Sequence, residues 1–272
     1  MENIRQALER AKAYRPEEQS GIYFEASQKQ AARNIADRNH KKAVEFELDS
    51  AYLQSQRIVA YNGQDPRSRS FDILRTEVLR TMDLKGWKTL AITSPTPSCG
   101  KTLTAINFAL SLARQSERQV SLVDLDLRKP HVAASLGLTC RDGVLGVLEG
   151  RIDIERATIE ARIGSSKLDV LPTASSLNAS DLVASPAMKM LLQDLAGYGQ
   201  SRIVILDLPP ILTGHDVISI LPQVDCVLLV AAVGTSRVSE IEECNKYLQV
   251  TDVVRFVLNK VPETAITTYA YY

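Results

Sequence analysis

The sequence predicts an α/β fold, a mainly parallel sheet with helices on both faces, preceded by a polar extension. Three observations predict it. Six short apolar runs, "WKTLAITS", "VSLVDLD", "LDVLPT", "RIVILDL", "CVLLVAAV" and "VRFVLNKV", punctuate the chain beyond residue 68. They are continuous rather than alternating, as strands buried on both faces are. Between them lie helical patterns such as Leu103, Ile106, Leu110 and Ala113, and strands separated by helices make βαβ units. In such sheets a ligand sits beyond the C-terminal ends of the strands, so chemistry is expected where these runs stop.

Taken in order, residues 1–67 read as a polar N-terminal extension, rich in Gln, Asn, Arg, Lys and Glu and partly helical or disordered. Ile4, Leu8 and Ala11 fall at helical spacing, "YRPEEQSG" breaks the pattern, and a second polar helix is expected through "SQKQAARNIADRNHKKAVEFEL". Residues 68–262 form the nucleotide-binding domain argued below, and residues 263–272 a tyrosine-rich tail. The length of 272 residues accommodates one large α/β domain plus an extension. Formal net charge is zero, which gives no ground for nucleic acid as a partner. Cys99, Cys140, Cys226 and Cys244 show neither a CxxC pair nor ligand spacing with histidine, against a zinc site or a disulfide framework. The longest apolar runs are about eight residues, short of the roughly 20 that span a bilayer. The start, "MENIRQALERAK", is too charged for a secretory signal. A cytoplasmic protein is expected.

The first chemical motif ends the first apolar run: "AITSPTPSCGKTLTAINFAL". A strand enters a tight loop, and Gly100, Lys101 and Thr102 open a helix. This is the phosphate loop of P-loop NTPase-type folds, with Pro95 at the usual first glycine of GxxxxGK[ST]. Gly100 lets the backbone approach the phosphates, and amides at the helix N-terminus face them. Lys101 reaches the β- and γ-phosphates of ATP, and Thr102 offers its hydroxyl to Mg²⁺. Ser98, Cys99, Gly100, Lys101, Thr102 and Leu103 are thus the expected nucleotide-binding stretch, Cys99 as a small tolerated side chain. Next, "VSLVDLDLRKP" places Asp124 and Asp126 two apart at a strand end, pointing the same way, with Arg128 following to balance them. Such carboxylates need a cation or a proton-transfer task. In "RIVILDLPP", Asp207 ends a buried strand and takes the form of the acid that holds Mg²⁺ opposite the loop. Lys101, Asp124, Asp126 and Asp207 are the catalytic candidates; Thr102, Asp126 and Asp207 are the metal candidates.

The order phosphate loop, DxDxR, then DLPP resembles the bacterial tyrosine kinases of capsule and exopolysaccharide synthesis, of the CpsD/CapB type. The resemblance covers residues 70–262 and resumes at the tail. "DLDLRKP" matches the family's second Walker motif, "DGVLGVLEGRIDIERA" the stretch after it, and "VILDLPPIL" the Walker B segment. Ser98 stands where the family usually has glycine. The resemblance implies ATP-dependent protein-tyrosine autophosphorylation, contact of Asn259 with the adenine, and Asp124 as base or orienting group for the phenol. It implies a membrane chain-length regulator (a polysaccharide co-polymerase) as activator, holding the protein peripherally at the inner membrane. It implies also a cognate tyrosine phosphatase and a homo-oligomer. MinD and ParA relatives carry a signature lysine where this chain has Thr96, which disfavours an ATPase of that type. A nucleotide-switched scaffold without kinase activity stays open beside it. Family assembly runs through an E-x-x-R-x-x-R segment; here Arg69, Asp72 and Arg75 align, with the first two signs reversed.

The sequence ends "TTYAYY". Tyr269 lies nine residues past Lys260, within a reach of about 30 Å of the last strand's end. Bending back into its own site is sterically awkward, so Tyr269, Tyr271 and Tyr272 are expected to be phosphorylated in trans. Three phosphates would add roughly −5 charges, a natural device for disassembly.

Overall fold

A parallel strand must bury both faces, and the fold follows from where the chain finds cover for each. The computed structural model describes residues 43–115, 117–197 and 201–262. The helices expected before residue 43 and the tyrosine tail lie outside them. The strands are β1 (Val44–Glu47), β2 (Thr89–Thr93), β3 (Gln119–Asp124), β4 (Ile159–Ile163), β5 (Ser166–Leu171), β6 (Arg202–Asp207), β7 (Cys226–Ala232) and β8 (Asp252–Asn259). The helices are α1 (Ser50–Ser55), α2 (Arg69–Lys85), α3 (Lys101–Ala113), α4 (Val132–Leu136), α5 (Gly143–Leu148), α6 (Ile154–Ala157), α7 (Ala179–Val183), α8 (Pro186–Gly197), α9 (Asp216–Ile220) and α10 (Val238–Leu248).

The strands make one sheet in the order β1-β4-β5-β3-β6-β2-β7-β8, parallel throughout except where β4 and β5 form an antiparallel hairpin. Helices cover both faces. On one, Val78 and Met82 of α2 and Phe108 and Leu112 of α3 pack against Leu90, Ile92, Leu122 and Ile205. On the other, Leu191 and Leu195 of α8 and Cys244 and Leu248 of α10 pack against Val123, Leu206 and Leu229. The α3 helix is buried at every residue from Thr104 to Ala113, so it is clamped rather than merely laid on the sheet.

The six strands read from the sequence are β2, β3, β5, β6, β7 and β8. The remaining two correct that reading. "VEFE", expected to close a polar helix, is β1 instead. Its alternation of Val44 and Phe46 with Glu45 and Glu47 suits an edge strand, and it pairs in parallel with Ile159–Arg162 of β4. The compact unit therefore starts at Ala43, well before the expected boundary at 68. Leu48, Leu53, Ile58, Val59 and Ala60 are buried in it. A polar residue inside α3 fixes this segment. Asn107, fully buried, accepts hydrogen bonds from the backbone N–H groups of Val59 (2.8 Å) and Ala60 (3.0 Å) and donates to the carbonyl of Leu103 (2.9 Å).

The segment aligned with the family's assembly motif is occupied internally. Asp72 accepts from Arg75 (3.0 Å), from Arg114 and from the Ser111 hydroxyl (2.7 Å), which ties α2 to α3. Arg69 stays exposed.

Because Asn107 satisfies two buried donors at once, Asn107→Ala should lower stability by about 1–3 kcal/mol or more. Urea unfolding followed by circular dichroism checks this; an unchanged midpoint would mean that the 43–60 segment is held by its apolar contacts alone.

Candidate active site

Three motif-bearing strands end side by side. β6 lies between β3 and β2, so Asp207 is the register partner of Asp124 on one side and of Ile92 on the other. The phosphate loop leaves β2 two residues beyond Ile92 and enters α3. Its path is pinned by bonds to the segment after β6: the N–H of Ile211 donates to the Ser94 carbonyl (2.8 Å) and that of Leu212 to the Pro95 carbonyl (3.1 Å). Asn259, at the end of β8, donates to the carbonyl of Cys99 (2.9 Å). Gly100 is required here twice over. Its φ is +89°, and a Cβ would overlap the Asn259 amide. Ser98 also sits in the left-handed region, at φ +67°, which costs a residue bearing a Cβ about 1–2 kcal/mol. This is the position where glycine was expected.

Beyond the loop, one cation meets the acids. The Lys101 ammonium lies 3.0 Å from Asp126 and 3.5 Å from Asp207, and donates to the Thr102 hydroxyl at 3.2 Å. Thr102 in turn donates to Asp207 at 2.6 Å. Asp207 and Asp124 are fully buried. Burial by itself would lower the lysine's pKa, but Asp207 and Asp126 hold it above its ordinary value. Removal from water pushes the Asp207 carboxyl up, against the pull of Lys101. Asp124 is pushed up to about 7, first by burial and then by the charge on Asp207. Its oxygens accept from the backbone N–H groups of Asp126 (3.1 Å), His131 (3.1 Å) and Val132 (3.0 Å), which fold the segment after β3 over it.

Three carboxylates against one ammonium leave an excess of buried negative charge, and this fits a divalent cation. Among the described residues no group of three His, Cys, Asp or Glu side chains could hold a metal by itself. A Mg²⁺ here would therefore draw on Thr102, Asp126 and Asp207 and complete its shell with water and phosphate oxygens, as Mg²⁺ commonly does.

The structure thus brings Lys101, Thr102, Asp126 and Asp207 into contact and sets Asp124 against Asp207. Other expected residues stand differently. Arg128 does not balance the aspartate pair; its guanidinium is drawn to Asp216 (2.7 Å) and Ser180, and Lys101 balances the pair instead. The Asn259 amide braces the loop's backbone, at the sheet edge where the adenine contact is expected. Leu103 packs partly buried against the core. The Cys99 thiol is buried, donating to the Thr96 carbonyl (3.2 Å) and lying 3.3 Å from the Ser236 hydroxyl. Ser236 and Asp216 escaped the sequence reading; the polar turn "VGTSR" after β7 marks the same sheet edge and points to Ser236.

Fold and site define a protein of the phosphate-loop class. No family model matches the chain. It is 30% identical over 222 residues to EpsB of Ralstonia nicotianae, provisionally named a tyrosine-protein kinase, covering 81% of this chain and 28% of that protein. Against the tyrosine-protein kinase YwqD of Bacillus subtilis it is 29% identical over 209 residues, 75% of this chain and 86% of that one. The solved kinase domain of the Escherichia coli tyrosine kinase ETK superposes with a TM-score of 0.66 at 26% identity, covering 75% of this chain and 79% of that one. The chain spans little more than a quarter of the length of the first curated relatives it matches. The chain is thus similar in sequence to bacterial tyrosine-protein kinases and shares the fold of their kinase domains.

The raised Asp124 pKa has a stability consequence. The folded protein holds a proton that the unfolded carboxyl, with its ordinary value of 3.8, releases. Asp124's contribution is therefore fully present below about 4 and is lost as pH rises through about 7. Nucleotide-free protein should show a melting temperature that falls across this window, and Asp124→Asn should flatten the fall. An equally steep profile in the variant would contradict the assignment.

Proposed function

We propose that the chain is an ATP-dependent protein-tyrosine autokinase that phosphorylates Tyr269, Tyr271 and Tyr272 in trans within a homo-oligomer. Through this it regulates polymerisation and export of a capsule or exopolysaccharide. The observation that carries the proposal is the Lys101 ammonium held between Asp126 and Asp207, with Thr102 on Asp207, at the sheet edge where β8 also ends. A triphosphate offers the ammonium a stronger anion. Its transfer to the phosphates would free Asp207, Asp126 and Thr102 to hold Mg²⁺. When bound, the ion would neutralise charge on the β- and γ-phosphates.

In the transfer, the phenol oxygen of a neighbour's tyrosine bonds to the γ-phosphorus and the bond to the ADP bridging oxygen breaks. The phenol proton passes to Asp124, whose pKa near 7 suits an acceptor at neutral pH. Asp124 is fully covered in this conformation, so a phenol reaches it by displacing the backbone at His131 and Val132. Asn259 sets the chain's exit from the sheet against Cys99 of the loop, which supports a tail presented close to the active edge.

The resemblance supplies the partners: a membrane chain-length regulator whose cytoplasmic segment activates the site, and a cognate tyrosine phosphatase. Among the described residues no helix is long and apolar enough to cross a membrane; attachment at the inner membrane is assigned to that partner.

Mass spectrometry of the tail after incubation with Mg-ATP should find phosphotyrosine, and Lys101→Met should remove it. An unlabelled tail, even with a regulator's cytoplasmic segment present, defeats the kinase reading. Polymer output that survives loss of the tail but not Lys101→Met would select a nucleotide-switched scaffold.

A further inference from the structure

The far end of α3 borders a cavity of about 660 Å³, lined by Tyr61, Gly63, Arg75, Arg114, Gly164 and Ser165 among others. It lies away from the phosphate loop. Lys101 opens α3 and Arg114 caps its C-terminus, so the two are about 20 Å apart along the helix axis. Gly164 belongs to the turn between β4 and β5, at the sheet edge opposite the motif-bearing strand ends.

Two guanidiniums crowd this cavity over one carboxylate. Arg75 and Arg114 both pair with Asp72, and Arg75 donates further to the carbonyl (2.8 Å) and hydroxyl (3.0 Å) of Ser111. The Nε atoms of both are buried without a hydrogen-bond partner. Carbonyls at the end of α3 offset part of the charge, yet within this cluster two cations still face one anion. Burial, and then the like charge of Arg114, lower the pKa of Arg75 although Asp72 opposes them. The backbone at Gly63 lies directly beneath the Arg114 guanidinium, where a Cβ would overlap it.

We propose that this cavity binds a small organic phosphate, its phosphate on Arg75 and Arg114 and a hydroxyl-bearing body along Tyr61 and Ser165. The volume falls within the range of small-molecule sites, about 300–1,000 Å³. Planar guanidiniums match phosphate oxygens in geometry and supply the charge that an anion would settle. Beside Ile163, the amides of Asn62 and Gln115 and the hydroxyls of Ser165 and Ser166 complete the wall, and these suit a sugar better than an apolar body. No step of the proposed kinase chemistry uses these groups, so this site stands or falls independently of it.

The test is calorimetric titration of full-length protein already saturated with Mg-ADP, which fills the phosphate loop. Inorganic phosphate and glucose 1-phosphate are the probes. Both should bind saturably, with glucose 1-phosphate the tighter. Binding should weaken about tenfold or more in Gly63→Ala, which displaces the Arg114 guanidinium without removing its charge, and likewise in Arg114→Gln. Circular dichroism verifies that each variant folds, and Gly63→Ala decides if Arg114→Gln does not. Absence of saturable binding, or binding unaltered by the substitutions, overturns the site. Glucose 1-phosphate binding no tighter than inorganic phosphate overturns the organic ligand.

Discussion

Everything at the active edge depends on one buried ammonium among carboxylates. Without Lys101, the acids at the ends of β3 and β6 would face one another in a space sealed from water. Isolated buried charge of that kind is not tolerated and is relieved by a partner or by protonation. The protein uses both routes. Lys101 pairs with Asp126 and Asp207, and Asp124 is pushed towards neutrality. Under the proposed function, an anion that claims the lysine would let an external cation take its place among the acids.

Sheet order makes this juxtaposition local. Because β6 separates β2 from β3, a loop and two acidic strand ends far apart in sequence become neighbours in register. The α3 helix carries Lys101 at its start and is buried along nearly its whole length, which fixes the lysine's origin against the sheet. Bonds from Ile211, Leu212 and Asn259 then hold the loop from the other side. The strain at Ser98 is borne by this bracing: a non-glycine residue at φ +67° persists where the surroundings determine its conformation.

Much of this was legible in the sequence because the signals were local. Continuous apolar runs named the central strands, the Gly100-Lys101-Thr102 motif beyond the first named Lys101 and Thr102, and the acids at the ends of two others named Asp124, Asp126 and Asp207. What was not legible depended on distant pairing. The β1 strand has only four residues, all exposed, flanked by polar sequence, and nothing but its partner β4 makes it a strand. Arg128 was assigned to the nearest acids in sequence, whereas the fold offered Asp216, eighty-eight residues away. The brace that Asn259 gives the loop is likewise a pairing across the sheet edge, which its own sequence neighbourhood does not announce. Asp72 and Arg75 were legible only as an altered assembly segment; their pairing with Arg114 and Ser111 of a second helix depends on the packing of α2 on α3.

The central claim is that the acids exist to receive a cation together with a nucleotide. Calorimetric titration of ATP into the protein, with Mg²⁺ and then with the metal chelated, tests it most directly. The account predicts saturable binding with Mg²⁺ that weakens about tenfold or more when the ion is withheld. Equal binding in both conditions, or none in either, would contradict it.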